Sequence, residues 1–297
     1  MATAFCPAHI TGFFKAELDK EDSKQLGSLG AGFSIQKGVK TTVTIRNKTK
    51  HDISNFTIKV NGFESGNMRV SKVVLSKFST KGKFVDIIHE IDVPVGYGFG
   101  SSAAVALSLS IALNDALECK LSKIKVAQIA HDVEIECKTG LGDVLASYHG
   151  GFEIRDKPGA PGIGHVQKIT LNKISIIMIC FSPISTSKFI KERLPRINGL
   201  GGKMVNKLLE SKNYEHFQEM SLEFAKYVDV MTPRMQKVVN ELSKNNIKCG
   251  IALFGETIFS MIPKENENKI LKILEKYSDG IIIKSELDDT GARVLYN

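Results

Sequence analysis

The 297-residue sequence is short of the features that mark disulfide-rich, metal-clustered or membrane-spanning proteins. Its five cysteines lie far apart and form no CxxC pair, which disfavours a disulfide framework or a cysteine-based zinc site and favours free thiols in a reducing cytoplasm. The seven histidines form no HExxH motif, which disfavours a zinc hydrolase. No apolar run approaches the roughly 18 residues that a membrane helix needs. The first ten residues lack the basic and apolar regions of a secretory signal.

The excess of positive charge is modest. The chain has 40 Lys and Arg against 32 Asp and Glu, a net charge of +8. The basic residues are scattered among acidic ones, without blocks of like charge or interleaved aromatic residues. This pattern favours a site for a small anionic ligand over a nucleic-acid interface. We therefore expect small-molecule partners and neither nucleic acid nor membrane, and a homodimer stays open.

With 42% hydrophobic residues, the chain can fill about two domains. Strands are predicted in the first 100 residues, and strands and helices alternate after them, which predicts an α+β architecture. The Pro- and Gly-rich segment Lys157–Gly164 is the best candidate boundary and divides residues 1–160 from residues 161–297. The predicted strands are Thr41–Ile45, Phe56–Val60, Phe84–Val93, Phe152–Arg155, Ile174–Phe181, a pair within Gly250–Ile262, and Gly280–Lys284. The predicted helices are Val105–Glu118, Ile124–Cys137, Lys203–Lys212, Tyr214–Met231, Pro233–Asn245 and Glu265–Lys276.

The segment Pro94–Ala103, PVGYGFGSSA, is the most informative part of the sequence. Gly96, Gly98 and Gly100 allow the backbone to approach a ligand closely, and two serines then begin a predicted helix. A glycine-rich loop that leads into a helix N-terminus predicts a phosphate site. The segment is not a Walker A motif, because GK[ST] is absent. A tight turn with a serine N-cap is the structural alternative.

The same segment resembles the PxxxGLGSSA signature of the GHMP kinases, with Phe99 in place of leucine. Pro7–Phe14 resembles the first motif of that family, and Gly250–Phe259 stands where its third, glycine-rich motif is expected, although it has few glycines. The resemblance implies a ribosomal-S5-like N-terminal domain and a ferredoxin-like C-terminal domain. ATP and substrate are expected in the cleft between them.

Within this superfamily the sequence looks most similar to the archaeal pantoate kinases. The segments that carry this likeness are Pro7–Phe14, Gly27–Gly32 and Glu134–Asp143. The likeness implies ATP-dependent phosphorylation of the primary hydroxyl of pantoate on the way to coenzyme A. The alternatives are a kinase for another hydroxy acid, of the homoserine or mevalonate type, a non-catalytic binding module, and an RNA-binding protein.

The resemblance also implies roles for individual residues. Asp143 matches the proposed catalytic base of the mevalonate branch, and its alternative is a helix N-cap. Glu134 and Ser102 match the residues that hold Mg²⁺, and Glu136 is the alternative to Glu134. The predicted ATP-binding residues are Pro94, Gly96, Gly98, Gly100, Ser101, Ser102 and Ala103.

A substrate carboxylate calls for arginine, whose guanidinium fork binds both oxygens. Arg155 ends the predicted strand that directly follows the Gly150–Gly151 pair, beside the segment that holds Asp143, and is therefore the best placed. A salt bridge at the domain interface is its alternative. Ser28, His131, Thr186 and His9 are further expected substrate contacts, each with a structural alternative as a turn, cap or core residue.

Overall fold

The computed structural model describes residues 1–63 and 68–296, with the side chains of residues 186 and 187 left out. The strands in this part of the chain are β1 (Ala2–Glu17), β2 (Gly27–Asn47), β3 (Phe56–Gly62), β4 (Lys83–Ile91), β5 (Phe152–Lys157), β6 (His165–Ile169), β7 (Ile174–Pro183), β8 (Gly250–Ala252), β9 (Gly255–Pro263), β10 (Ile281–Glu286) and β11 (Arg293–Leu295). The α-helices are α1 (Arg69–Ser76), α2 (Ser101–Ala116), α3 (Lys123–Cys137), α4 (Asp143–His149), α5 (Thr186–Ser211), α6 (Tyr214–Tyr227), α7 (Pro233–Lys244) and α8 (Glu267–Leu274).

Within the described residues, seven strands form the larger sheet. Its main path runs β11-β1-β2-β4-β3, while β5 pairs with the first part of β2 and β6 pairs with β5. Only β3 and β4 are parallel among these pairs. Helix α2 packs on β1 and β2. Its residues are apolar around most of its circumference and buried, as expected of a helix enclosed within a core.

The smaller sheet has the antiparallel order β10-β7-β9-β8. Helices α5, α6 and α7 lie between β7 and β8, and α8 lies between β9 and β10. This order is the ferredoxin-like βαββαβ arrangement, extended by extra helices. Together, the two sheets confirm the predicted α+β class.

An aromatic cluster joins the two layers. Phe33 of β2 and Phe152 of β5 meet Phe217 of α6, with ring centroids 6.2 and 5.1 Å away. Phe33 also meets Phe259 of β9 at 5.0 Å. These rings are buried, and aromatic pairs of this kind add about 0.5–1.5 kcal/mol each beyond their burial. These ring contacts fix the larger sheet against α6 and against the smaller sheet.

The structure differs from the predicted elements in three places. Helix α5 begins at Thr186 rather than Lys203, because Pro195 and three glycines hide its period. Strands β1, β6 and β11, the first part of β2 and helix α1 lie outside the predicted elements, and α4 lies in a segment predicted only as a loop or helix start. Residues 158–164 connect two paired strands, β5 and β6, and the smaller sheet begins at β7. The division between residues 160 and 161 stays a prediction.

None of the helices in the described ranges is long and apolar enough to cross a membrane. All five cysteines lie in these ranges and are unpaired, as expected.

Candidate active site

The glycine-rich loop joins β4 to α2. Gly98 has a φ of +88°, and a side chain there would meet the carbonyl oxygen of Leu253 at 2.5 Å, so glycine is required. Gly100 is the left-handed N-cap of α2, and no side chain of the described residues caps this helix end. The first N–H groups of α2 are therefore available to an anion.

The loop borders a cavity of about 260 Å³. Six of the seven predicted ATP-binding residues line it, namely Gly96, Gly98, Gly100, Ser101, Ser102 and Ala103. Pro94 is the exception. Lys138 and Thr139, which follow α3, border the cavity together with Asp143 at the start of α4. Ser185 and Phe254 border it from the side of the smaller sheet. Helix N–H groups, hydroxyls and a lysine at one cavity suit a chain of phosphates.

Contacts from elsewhere in the chain hold the loop in place. The N–H of His9 donates to the carbonyl of Phe99 (3.1 Å), and the N–H of Ile184 donates to that of Gly96 (2.9 Å). The Thr257 hydroxyl donates to the carbonyl of Tyr97 (2.8 Å). Strand β1, the segment before α5 and strand β9 therefore all shape the loop.

Two carboxyl groups converge beside the loop. Asp143 is the first residue of α4, and Glu134 lies on α3. A side chain at Gly140 would collide with Glu134 Oε1 and lie 3.0 Å from Asp143 Oδ2. Glu136 is half exposed and pairs with Lys77 at 2.7 Å, so the helix turns it away from Asp143. Of the two candidate glutamates, only Glu134 faces the aspartate.

The surroundings of Glu134 suit a cation. It is 1% exposed, and neither carboxyl oxygen has a hydrogen-bond partner within the described residues. Burial and the charge of Asp143 raise the pKa of Glu134 well above its usual value, and the nearby Val144 N–H offsets this only in part without reaching hydrogen-bond geometry. A cation bound by Glu134 would relieve this penalty. No group of three or more His, Cys, Asp or Glu side chains in the described ranges could hold a metal ion, and Mg²⁺ needs only one or two carboxylates when phosphates complete its shell.

Replacing Glu134 with Gln should raise the thermal stability of the ligand-free protein at neutral pH. The folded protein holds the Glu134 proton more tightly than the unfolded chain does. Its unfolding free energy therefore falls as pH rises from the usual glutamate pKa to the raised pKa of Glu134. Glutamine removes this penalty, and the expected gain in Tm is about 2–4 °C for each kcal/mol recovered. Thermal melts between acidic and neutral pH measure it, with exposed Glu136→Gln as the control. If the difference in Tm between Glu134→Gln and the wild type did not change across that pH range, Glu134 would ionise without cost to stability.

His9 lies between two carboxylates. Nδ1 is 2.9 Å from Asp143 Oδ1, and Nε2 is 2.8 Å from Glu153 Oε1. Burial alone would lower the pKa of His9, but the hydrogen bonds to Asp143 and Glu153 outweigh it and raise the pKa. Burial would likewise raise the pKa of Asp143, but the hydrogen bond and charge of His9 lower it. The imidazolium therefore donates to both acids and keeps Asp143 ionised.

Asp143 also borders a second, much smaller cavity of about 10 Å³. Ser28 and Arg155 line it, together with Thr11, Phe14, Leu141, Gly142, Ile190 and Phe254. Arg155 is 1% exposed, and its Nη1 donates to Glu153 Oε1 at 2.6 Å. Its buried Nε has no partner among the described residues. A second ligand with a carboxylate could be bound here by the free guanidinium edge and the serine hydroxyl.

The remaining predicted substrate contacts lie differently. His131 is buried, and its Nε2 donates to the carbonyl of Ser23 (3.0 Å), which ties α3 to the turn before β2. Both ring nitrogens of His9 are already occupied by protein carboxylates, which leaves none for substrate. The Thr186 side chain lies outside the described residues, although its backbone begins α5.

Sequence reasoning missed Glu153, Thr11 and Phe254. Thr11 and Phe254 line both cavities, and Glu153 binds His9 and Arg155. One signal for Glu153 was available: the alternation Glu153-Ile154-Arg155 places two opposite charges on the same face of a strand. Phe254 lies in the turn between β8 and β9, and no sequence signal marked it.

Comparison with known proteins gives one consistent family. Residues 68–151 match the family described as GHMP kinases N terminal domain. A pantoate kinase from Methanocaldococcus jannaschii is 34% identical over 277 residues, covering 91% of this chain and 96% of that protein. A pantoate kinase from Thermococcus kodakarensis is 29% identical over 275 residues, covering 91% of each.

A solved structure described as a phosphotransferase related to the CoA biosynthesis pathway superposes with a TM-score of 0.85 at 27% identity, over 98% of this chain and 97% of that one. The likeness to relatives extends well beyond the glycine loop. The chain belongs to the GHMP kinases and, within them, to the pantoate kinase family.

Proposed function

We propose that this enzyme transfers the γ-phosphoryl group of ATP to the primary hydroxyl of pantoate, giving 4-phosphopantoate on the way to coenzyme A. One observation carries the proposal: Asp143 borders both cavities, one lined by the glycine loop and the other by Ser28 and Arg155. An acid between a phosphate site and a carboxylate site is where an acceptor hydroxyl must meet a transferring phosphate. The names of the relatives, pantoate kinase, supply the substrate.

The phosphate side would use the loop and α2. Backbone N–H groups of the glycine loop and the N-terminus of α2 bind phosphate oxygens. Ser102 and Glu134 would hold Mg²⁺, which when bound neutralises charge on the phosphates. Exclusion of water from the acceptor falls to Phe254 and the glycine loop, which border the cavity together.

Asp143 would orient the acceptor hydroxyl by accepting its hydrogen bond. Because His9 lowers the pKa of Asp143, the aspartate is a weak base in the resting protein. Phosphoryl transfer through a loose transition state asks little of a base early in the reaction. The proton therefore moves to Asp143 only as the bond to phosphorus forms.

The acceptor side would use Arg155 and Ser28 to bind the carboxylate. Their cavity of about 10 Å³ has room for about one water molecule, so pantoate needs the surrounding apolar wall to move apart. That wall is made of Phe14, Leu141, Ile190 and Phe254. These side chains come from four different segments, and a small shift of α5 or of the β8–β9 turn would widen the site.

The decisive experiment is a coupled assay of ADP release with pantoate, homoserine and mevalonate. Pantoate should give the highest kcat/KM by a wide margin. Faster turnover of homoserine or mevalonate would overturn the substrate and leave only the superfamily. ATP-dependent turnover of none of the three, with binding to RNA that weakens steeply with salt, would favour the RNA-binding alternative.

Replacing Ser102 with Ala should shift the dependence of activity on Mg²⁺. Loss of one polar ligand is expected to raise the Mg²⁺ concentration at half-maximal rate by about tenfold, since one such contact is worth about 1.4 kcal/mol. The KM for pantoate should stay the same. Ser243→Ala, at an exposed position of α7, is the control. An unshifted Mg²⁺ curve would place the metal away from Ser102.

A further inference from the structure

Three strands bring the charged side chains of the site together. His9 lies on β1, and Glu153 and Arg155 lie on β5, with β2 paired between them. The β2 residue opposite Glu153 is Gly32, where a side chain would lie 2.5 Å from His9 Nε2. Because β2 carries no side chain there, groups from β1 and β5 meet across it.

Glu153 is the only group in this cluster that touches both cations, among the contacts of the described residues. Its Oε1 accepts from His9 Nε2 (2.8 Å) and from Arg155 Nη1 (2.6 Å), while its side chain is fully buried. The two donors are 3.4 Å apart. Without a carboxylate against both, two cations at this distance in a buried site would repel.

The contact with Arg155 selects which edge of the guanidinium faces the small cavity. Glu153 takes Nη1, and the buried Nε is left without a partner among the described residues. At Gly142, which lines that cavity, a side chain would lie 3.0 Å from Arg155 Nε and collide with the Ser28 hydroxyl. The free edge and the serine therefore point to the same place, where a ligand carboxylate could be bound in a bidentate manner.

The contact with His9 acts on the other side of the site. With Nε2 held by Glu153, the imidazole presents Nδ1 to Asp143 Oδ1. Asp143 Oδ2 is the oxygen that lies toward Gly140 and Glu134. One carboxylate thus orients a substrate-binding group and, through His9, the catalytic aspartate.

We propose that Glu153 is a positioning residue that couples binding of the substrate carboxylate to the orientation of Asp143. The proposal rests on the proposed kinase function. Glu153 itself lines neither cavity, so it acts through Arg155 and His9 and needs no contact with substrate.

The test is a pair of double-mutant cycles on the full chain. Glu153→Gln should raise the KM for pantoate and lower kcat, each by about tenfold, because it weakens charged hydrogen bonds on both sides. The KM for ATP should stay unchanged. Pantoyl alcohol, which lacks the carboxylate, should show the loss in kcat without the rise in KM.

The cycles separate positioning from a general effect on the fold. Adding Glu153→Gln to Arg155→Gln should raise KM no further, and adding it to His9→Gln should lower kcat no further. Additive effects, or equal KM changes for pantoate and pantoyl alcohol, would overturn the proposal. Asp156→Asn, a carboxylate of the same strand that pairs with His165, is the matched control. If Glu153→Gln fails to fold, Glu153→Asp replaces it and should give the same selective pattern with smaller changes.

A stability cycle makes the result independent of the substrate. Urea unfolding of the same single and double variants should show coupling of Glu153 with Arg155 and with His9. Absence of coupling would overturn the proposal even if pantoate is the substrate. If the wild type prefers another acid, the proposed substrate fails while both cycles, run with that acid, still decide the role of Glu153.

Discussion

Asp143→Asn should lower kcat by about 10²–10⁴-fold, the usual effect of losing a proton-accepting group. Asparagine can keep the hydrogen bond from His9, so the network on that side of the site should persist. It cannot take the proton of the acceptor hydroxyl. It also removes the negative charge of Asp143, whose ionised form the hydrogen bond from His9 favours. Both KM values should change little, because phosphates and carboxylate are bound by other groups.

Steady-state kinetics with saturating Mg²⁺ measure this effect, and circular dichroism checks the fold. Asp156→Asn removes a carboxylate from β5, where it pairs with His165 away from the cavities, and should leave kcat unchanged. Near-normal turnover of Asp143→Asn would reduce Asp143 to a helix-starting residue of α4.

Arg155→Gln should raise the KM for pantoate by about 10–100-fold, as expected for a lost charged hydrogen bond worth about 1.5–3 kcal/mol. The carboxylate is the only full charge on pantoate, and the free Nε of Arg155 is directed to the cavity that Ser28 also borders. The KM for ATP should not change. Pantoyl alcohol should lose most of its disadvantage against pantoate in this variant.

Removing Arg155 also leaves Glu153 with only His9 as a partner, so part of the loss could come from the fold. The comparison of pantoate with pantoyl alcohol separates the two, because a damaged fold would weaken both substrates equally. Arg46→Gln, which breaks an exposed pair with Asp52, is the matched arginine control. Equal losses for both substrates would remove Arg155 from carboxylate binding.

The fold class and the phosphate loop could be predicted from the sequence, because both depend on local patterns. Alternating glycines before a run of Ala and Leu specify a loop and a buried helix, and α2 follows at Ser101. Asp143 and Ser28 were expected because they lie in Glu134–Asp143 and Gly27–Gly32, two of the segments that carry the resemblance to related kinases. Glu134 and Glu136 could not be separated by type, but their opposite burial follows from helix geometry, since residues two apart face different ways.

What the sequence could not supply arises from contacts between distant strands. His9 is 134 residues from Asp143 and 144 residues from Glu153, and only the pairing of β1, β2 and β5 brings them together. The sequence alone allows His9 to contact substrate, and only the structure shows that protein carboxylates occupy both of its ring nitrogens. The long β1 carries few polar residues, so its length had no local boundary. Helix α5 was shortened in the prediction because Pro195 lies inside it.

The hydrogen bonds that hold the glycine loop limit how this enzyme could be divided into fragments or recombined with a relative. The loop lies inside the matched region, residues 68–151, but its carbonyls are held by His9, Ile184 and Thr257, all outside that region. The loop is therefore not a transferable module. A chimaera that takes residues 68–151 from a related kinase would contain the glycine loop of that kinase, but the loop carbonyls would have to bind His9, Ile184 and Thr257 of this chain. A fragment with residues 68–151 alone would lack all three of these residues. In evolutionary terms, changes in the loop and in the β8–β9 turn should occur together, because Gly98 and Gly255 each leave no room for a side chain against the other segment.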